Sequence, residues 1–305
     1  MISRQGGVIA VIGGPGGGKS SLLRHFRHVA EKQGMLSVMV KAEKGEDERS
    51  VVDKLYSEMA FPPGAKPEAG APHDLEGLVR ALDRADKKAF GAIVFIDDID
   101  RMRKSPEFVR KIVASSLSNW GKRQIGFVIS STKELRGGSD RMTLMRLAPF
   151  GAHEAAEMME RALKKGPPKM GEECLSSILS DSGGNPRLIK SVCRHIYDKL
   201  RDNEKVITKG HYLGYFQHIM SMLSSEWFGR MYQETPGAER EILRELARNE
   251  GGMHVSDIAK KLGKPLGPVT ALTKRLLDSG QIIRMDRGKY AVFARIYGRY
   301  VGLRS

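Results

Sequence analysis

The sequence predicts an α/β core built on a parallel five-stranded sheet, then a helical lid and a C-terminal winged-helix domain. Three observations carry that prediction. Through residues 1–150, short apolar runs alternate with amphipathic stretches, the pattern of a sheet covered by helices on both faces. From His153 to about Ser224 only helical periodicity is present. From Gly237 onward, three helical segments precede two short strands around a tight turn. The predicted units are therefore 1–150, 151–232 and 237–305, with Gln233–Gly237 as the linker between the last two.

The elements follow in order. Gly7–Ile12 is a short apolar strand, and Ser21–His28 opens a helix after a glycine loop. A strand at Leu36–Val40 and a helix at Glu48–Ala60 come next. Pro62, Pro63, Gly64, Pro67 and Pro72 then mark an exposed loop. A helix over Leu75–Phe90 leads to the apolar run Ala92–Ile96, and a helix over Glu107–Trp120 leads to the run Ile125–Ile129. Thr143–Leu147 completes five strands. The lid reads as helices Ala155–Leu163, Glu172–Ser180, Pro186–Arg201 and His211–Leu223. Helices Ala238–Glu250, Val255–Leu262 and Gly267–Ser279 precede the strands Gln281–Met285 and Tyr290–Phe293.

The loop after the first strand reads Gly13-Gly14-Pro15-Gly16-Gly17-Gly18-Lys19-Ser20, matching G-x-x-x-x-G-K-[ST] in a strand–loop–helix setting. Such glycines let backbone N–H groups turn inward around a phosphate, and the helix N-terminus adds partial positive charge. Gly13 through Ser21 would bind the phosphates of a nucleoside triphosphate, taken as ATP. Lys19 would reach the β- and γ-phosphates and the Ser20 hydroxyl would hold Mg²⁺. The core is thus predicted to be a P-loop NTPase.

Composition narrows the class further. The hydrophobic fraction of 40% suffices for a buried core. The two cysteines, Cys174 and Cys193, lie far apart, which suits idle thiols in a reducing compartment better than a disulfide framework. The eight histidines form no metal-binding spacing. No apolar run is long enough to span a bilayer and no secretory leader is evident, which predicts a soluble cytoplasmic protein. The net charge of +15 points to a polyanionic partner. Residues 237–305 hold 14 Lys/Arg against 7 Asp/Glu, so nearly half of that excess sits at the C-terminal end.

The apolar strand through Ile96 ends in Asp97-Asp98. Beside a phosphate loop, the first carboxylate is placed to hold Mg²⁺ and the second to orient or deprotonate the attacking water. The next strand ends Ser130-Ser131-Thr132, opening onto the same crevice, where Ser131 is the preferred contact for the γ-phosphate or the water. The same hydroxyls also suit a capping role at Lys133. In Gly183-Gly184-Asn185-Pro186-Arg187, Arg187 stands at a helix start, where facing an anion it would contact the γ-phosphate; the alternative is a solvated arginine.

Phosphate loop, Asp-Asp strand, hydroxyl-ended strand, Leu147-Ala148-Pro149-Phe150 and Gly184-Asn185-Pro186-Arg187 occur in that order. The order resembles the AAA+ ATPases and their STAND relatives, most of all archaeal-type ATPases and origin-initiator proteins with a C-terminal winged helix. The resemblance implies slow or regulated ATP hydrolysis, oligomer formation and an arginine acting in trans, for which Arg141 is the matching position and Arg146 the poorer one. Asp98 departs from the glutamate usual in AAA+ enzymes; a carboxylate one methylene shorter implies slower turnover and is common among STAND proteins. The helix that often precedes the first strand and packs on adenine has no counterpart, which leaves base selectivity open.

In the winged helix, Thr270, Thr273, Lys274 and Arg275 are read as facing outward from the third helix toward a DNA groove, with Arg287 and Lys289 at the wing tip. The resulting expectation is an ATP-Mg²⁺-dependent, DNA-associated ATPase of the initiation, loading or transposition-target type, whose nucleotide state controls DNA engagement. The alternative is a STAND-like signalling switch whose winged helix contacts protein.

Overall fold

The computed structural model describes residues 7–59, 74–85, 89, 91–117, 124–135, 142–163, 168–201 and 204–304. They divide into two compact units, Met1–Gly14 with Gly18–Leu147, and Ala148–Ser305 with the loop tip Pro15–Gly17.

The first unit runs β1 (Gly7–Ile12), α1 (Lys19–Lys32), β2 (Leu36–Lys41), α2 (Glu48–Glu58), α3 (Leu75–Ala85), β3 (Gly91–Asp97), α4 (Ser105–Leu117), β4 (Gln124–Ser131) and β5 (Met142–Arg146). Its sheet has the order β2-β3-β4-β1-β5, and every pairing is parallel. All of β3 is buried, as a central strand covered on both faces requires. Alternation along the strands sorts the core. Val11, Ile93, Phe95 and Val128 pack with Leu23 and Ala30 of α1. Ala10, Ile12, Val94 and Ile96 face the other way, toward Val52, Leu78 and Ile112. Asp47 caps α2 by accepting a hydrogen bond from the Ser50 N–H at 2.9 Å.

Register determines what meets at the C-terminal edge of this sheet. Ile12 stands opposite Ser131, and Lys41 opposite Asp97. The phosphate loop, the Asp-Asp end of β3 and the hydroxyl end of β4 therefore emerge side by side. The expected loop around Pro62–Pro72 lies outside the described residues, as do Phe90 and Ser118–Trp120 at the predicted ends of two helices.

The second unit contains α5 (Ala152–Leu163), β6 (Lys169–Met170), α6 (Glu172–Ser182), α7 (Pro186–Tyr197), β7 (Val206–Ile207), α8 (Lys209–Gly214) and α9 (Phe216–Leu223). A π-helical turn at Ser224–Phe228 leads into α10 (Gly229–Gln233). The winged helix follows as α11 (Gly237–Ala247), β8 (Met253–His254), α12 (Val255–Leu262), α13 (Leu266–Asp278), β9 (Ile282–Asp286), β10 (Lys289–Val292) and α14 (Arg295–Gly302). Its small sheet has the order β8-β10-β9. The expected helix His211–Leu223 is two helices meeting at Tyr215, and the short strand pair β6–β7 and the helix α14 are additional to the sequence prediction.

Lid and winged helix share one apolar core, running from Ala155 through Ile196, Leu223 and Phe228 to Leu246, Tyr297 and Val301. The expected separation at Gln233–Gly237 is therefore not a gap between cores. Thr235, inside that segment, is buried, and its hydroxyl bonds the amide of buried Gln281. Gln281 in turn accepts from the Tyr297 hydroxyl at 2.7 Å.

Candidate nucleotide site and winged-helix surface

The loop between β1 and α1 is shaped by glycine. Gly18, the cap residue of α1, has φ 98°, and a side chain there would project into open space rather than into protein. No side chain caps α1 and its first turn holds no acidic residue. The positive end of the helix dipole is thus left for an external anion.

Lys19 is the buried cation of the site, 6% exposed. Its Nζ donates to the carbonyl oxygens of Gly13 at 2.9 Å and Gly14 at 3.2 Å and to Thr132 Oγ1 at 3.3 Å. Burial pulls its pKa below that of an ordinary lysine, while Asp98, then Asp100 and Asp97 push it back up. The three carboxylates offset part of that loss.

Asp97 is buried and accepts a short hydrogen bond from Ser130 Oγ, whose oxygen also accepts from the Asp98 N–H at 2.8 Å. One serine on β4 thus orients the end of β3. Asp98 takes the left-handed conformation, φ 55°, which turns the chain into the short helical turn Ile99–Arg101. Its carboxylate lies 3.6 Å from Lys41 Nζ and 3.7 Å from Arg101 Nε. Asp100 Oδ1 accepts from the Thr132 N–H at 3.1 Å.

Ser131 takes the local role at Lys133 that its position also suited. Its hydroxyl donates to Lys133 O at 2.7 Å and accepts from the Lys133 N–H at 3.0 Å, so it closes a local turn. Thr132 stands beside Lys19 instead. Ser130, within β4, bonds Asp97, and Thr132, just past the strand's end, meets Lys19. The contribution of Asp100 depends on a turn that the letters Asp97-Asp98-Ile99-Asp100 do not reveal.

Ser20 and Ser21 open α1 directly after Lys19, with Ser21 exposed. Arg187 lies in the first turn of α7, where Asn185 Oδ1 accepts from the Arg187 and Leu188 N–H groups at 3.1 and 3.2 Å. Its guanidinium sits 4.5 Å above the ring of Trp227. Arg146 forms a two-pronged pair with Glu134, and Arg141 lies outside the described residues.

On the winged helix, Thr270, Lys274 and Arg275 are exposed on α13, and Arg275 Nη1 approaches Glu239 at 3.8 Å. Thr273 is not on that face. It is 1% exposed and donates to Val269 O at 2.8 Å, four residues back. Arg287 is exposed at the wing and Lys289 half-buried.

The donor set fits the group that the loop implies. Loop amides and Lys19 suit a polyphosphate, and the Ser20 hydroxyl with the Asp97 carboxylate suits a hard divalent cation. Among the described residues there is no His/Cys/Asp/Glu cluster of metal-site type, and no helix long and apolar enough to cross a membrane.

Sheet order, loop and winged helix together define a P-loop NTPase core with a C-terminal winged-helix domain. Within that class, residues 2–137 match the family model of an AAA domain, and residues 238–283 match that of a winged helix-turn-helix described as DNA-binding. Residues 2–137 thus carry an AAA domain and residues 238–283 a winged helix-turn-helix. A search of the curated proteins gives no match.

Solved structures agree in fold. The Walker-type ATPase paby2304 of Pyrococcus abyssi superposes with a TM-score of 0.72 at 14% identity, covering 96% of this chain and 90% of its own. Cdc6p of Pyrobaculum aerophilum gives 0.55 at 13% identity, covering 99% and 90%. A RuvB variant of Thermotoga maritima gives 0.51 at 16% identity, covering 93% and 84%.

Proposed function

We propose that this chain binds and hydrolyses ATP with Mg²⁺, and that its nucleotide state controls how the winged helix engages duplex DNA. The observation that carries the reading is the meeting of Lys19, Asp97 and Thr132 at one sheet edge behind a glycine loop. Loop amides and Lys19 bind the phosphates, while Ser20 and Asp97 hold Mg²⁺, which when bound neutralises phosphate charge. Thr132, oriented by Asp100, offers a hydroxyl beside Lys19. Asp98 serves as the base or the water-orienting group, and Arg187 as the γ-phosphate contact. In a homo-oligomer, Arg141 is the candidate to act in trans. On DNA, Thr270, Lys274, Arg275, Arg287 and Lys289 supply the contacts, chiefly to phosphates.

The test is the affinity of a labelled duplex, by fluorescence anisotropy, with a slowly hydrolysed ATP analogue, with ADP and without nucleotide. Distinct affinities in the three states, weakening as salt rises, are expected. A second reading, the signalling switch, draws on the exposed Leu266, Ile283 and Met285 of the winged helix, apolar side chains better suited to a protein than to phosphates. It predicts no salt-dependent DNA affinity and instead ATP-driven self-assembly.

A further inference from the structure

Trp227 occupies a place that the nucleotide site alone does not account for. It lies in the π-helical turn Ser224–Phe228, an irregularity that recurs at functional positions. One side of its ring carries the Arg187 guanidinium at 4.5 Å, and the Phe293 ring lies 5.6 Å away at 50°. Phe293 directly follows the wing strand β10, and its N–H donates to Gln281 O at 3.1 Å.

The same turn grips α7 a second time. Glu226 accepts from Ser191 Oγ at 2.9 Å and lies 3.3 Å from His195 Nε2. Arg187, Ser191 and His195 follow one another at four-residue steps, so one face of α7 is set against the turn. Arg187 itself is exposed, and a long arginine at a surface samples many rotamers unless a partner selects one. An aromatic face under a planar guanidinium makes that selection while leaving the N–H edge free for a phosphate.

We propose that Trp227 is the positioning residue for Arg187, holding its guanidinium ready for a terminal phosphate and linking its position, through Phe293, to the wing. This rests on the reading that Arg187 engages the γ-phosphate. Trp227 touches no reacting atom; it acts through the arginine.

The experiment uses the full chain and measures, by calorimetry, the affinities for ADP and for a non-hydrolysable ATP analogue. Trp227→Leu is expected to cut the preference for the triphosphate on the order of 2- to 5-fold, the range of an exposed cation–π contact, with ADP affinity unchanged. Trp227→Phe, which keeps a ring, retains part of the preference. Arg187→Ala loses at least as much as Trp227→Leu, and the double variant loses no more than Arg187→Ala alone. If Arg187→Ala leaves the preference intact, the reading of Arg187 fails and the proposal with it. If Arg187→Ala abolishes the preference and Trp227→Leu matches wild type, only the proposal is overturned. The chain has two tryptophans, so Trp120→Phe leaves Trp227 as the sole indole. Its emission is expected to respond to the ATP analogue and not to ADP; equal responses contradict the proposal even if the leucine variant does not fold.

Discussion

Lys19 is a cation held where cations are costly, among carbonyl oxygens and beneath solvent. Its lowered pKa, caused first by burial, means that the ammonium persists only below that depressed value; triphosphate affinity should therefore fall at a less alkaline pH than for an exposed lysine. Asp98 is the strongest opposing charge, so Asp98→Asn should move that loss to lower pH still. The same variant should spare ATP binding at neutral pH yet reduce hydrolysis by about 100-fold if Asp98 is the base. Unchanged turnover would remove Asp98 from the chemistry. At this scale the sequence showed the phosphate loop and Asp97-Asp98 plainly, because their letters and spacing are the chemistry. It left the choice within Ser130-Ser131-Thr132 open, because Thr132 lies just past the end of β4, where its approach to Lys19 depends on the path of the loop.

In α13 the helical period separates two kinds of side chain. Lys274 and Arg275 are exposed, whereas Thr273 turns inward with Val269 and Leu276. If each of these side chains neutralises one phosphate, Lys274→Ala combined with Arg275→Ala should weaken duplex binding and lower the slope of log affinity against log salt by about 2. Thr273→Ala should instead destabilise the fold by about 1 kcal/mol through loss of its buried hydrogen bond, with DNA affinity at 25 °C unaltered. Thermal denaturation and a salt titration distinguish the two. All five core strands were legible as short runs rich in apolar residues, and the central ones, β3 and β4, are buried along nearly their whole length. The pairs β6–β7 and β8–β10 were not, because two-residue strands are defined by their partners.

On the scale of the second unit, lid and winged helix are joined by polar groups as well as by apolar packing. Asp181 Oδ2 accepts from the Tyr212 hydroxyl at 2.7 Å and from Arg299 Nη1 at 2.9 Å, tying α6 and α8 to α14. Arg299→Ala leaves a nearly buried carboxylate without its cation and should cost about 1–3 kcal/mol, read as a lower midpoint in urea. If lid and winged helix were independent, two transitions would result, and only one would shift. These partners are 118 residues apart, so no local pattern could announce them, and Pro236-Gly237 reads as a linker from its punctuation alone. On the proposed reading, ATP turnover and DNA engagement belong to one machine spanning the whole chain. The most direct measurement is the ATP hydrolysis rate with and without duplex DNA, with Lys19→Ala as the blank. A DNA-dependent rate that vanishes in Lys19→Ala is the predicted result; a rate indifferent to DNA, or equal in the blank, contradicts it.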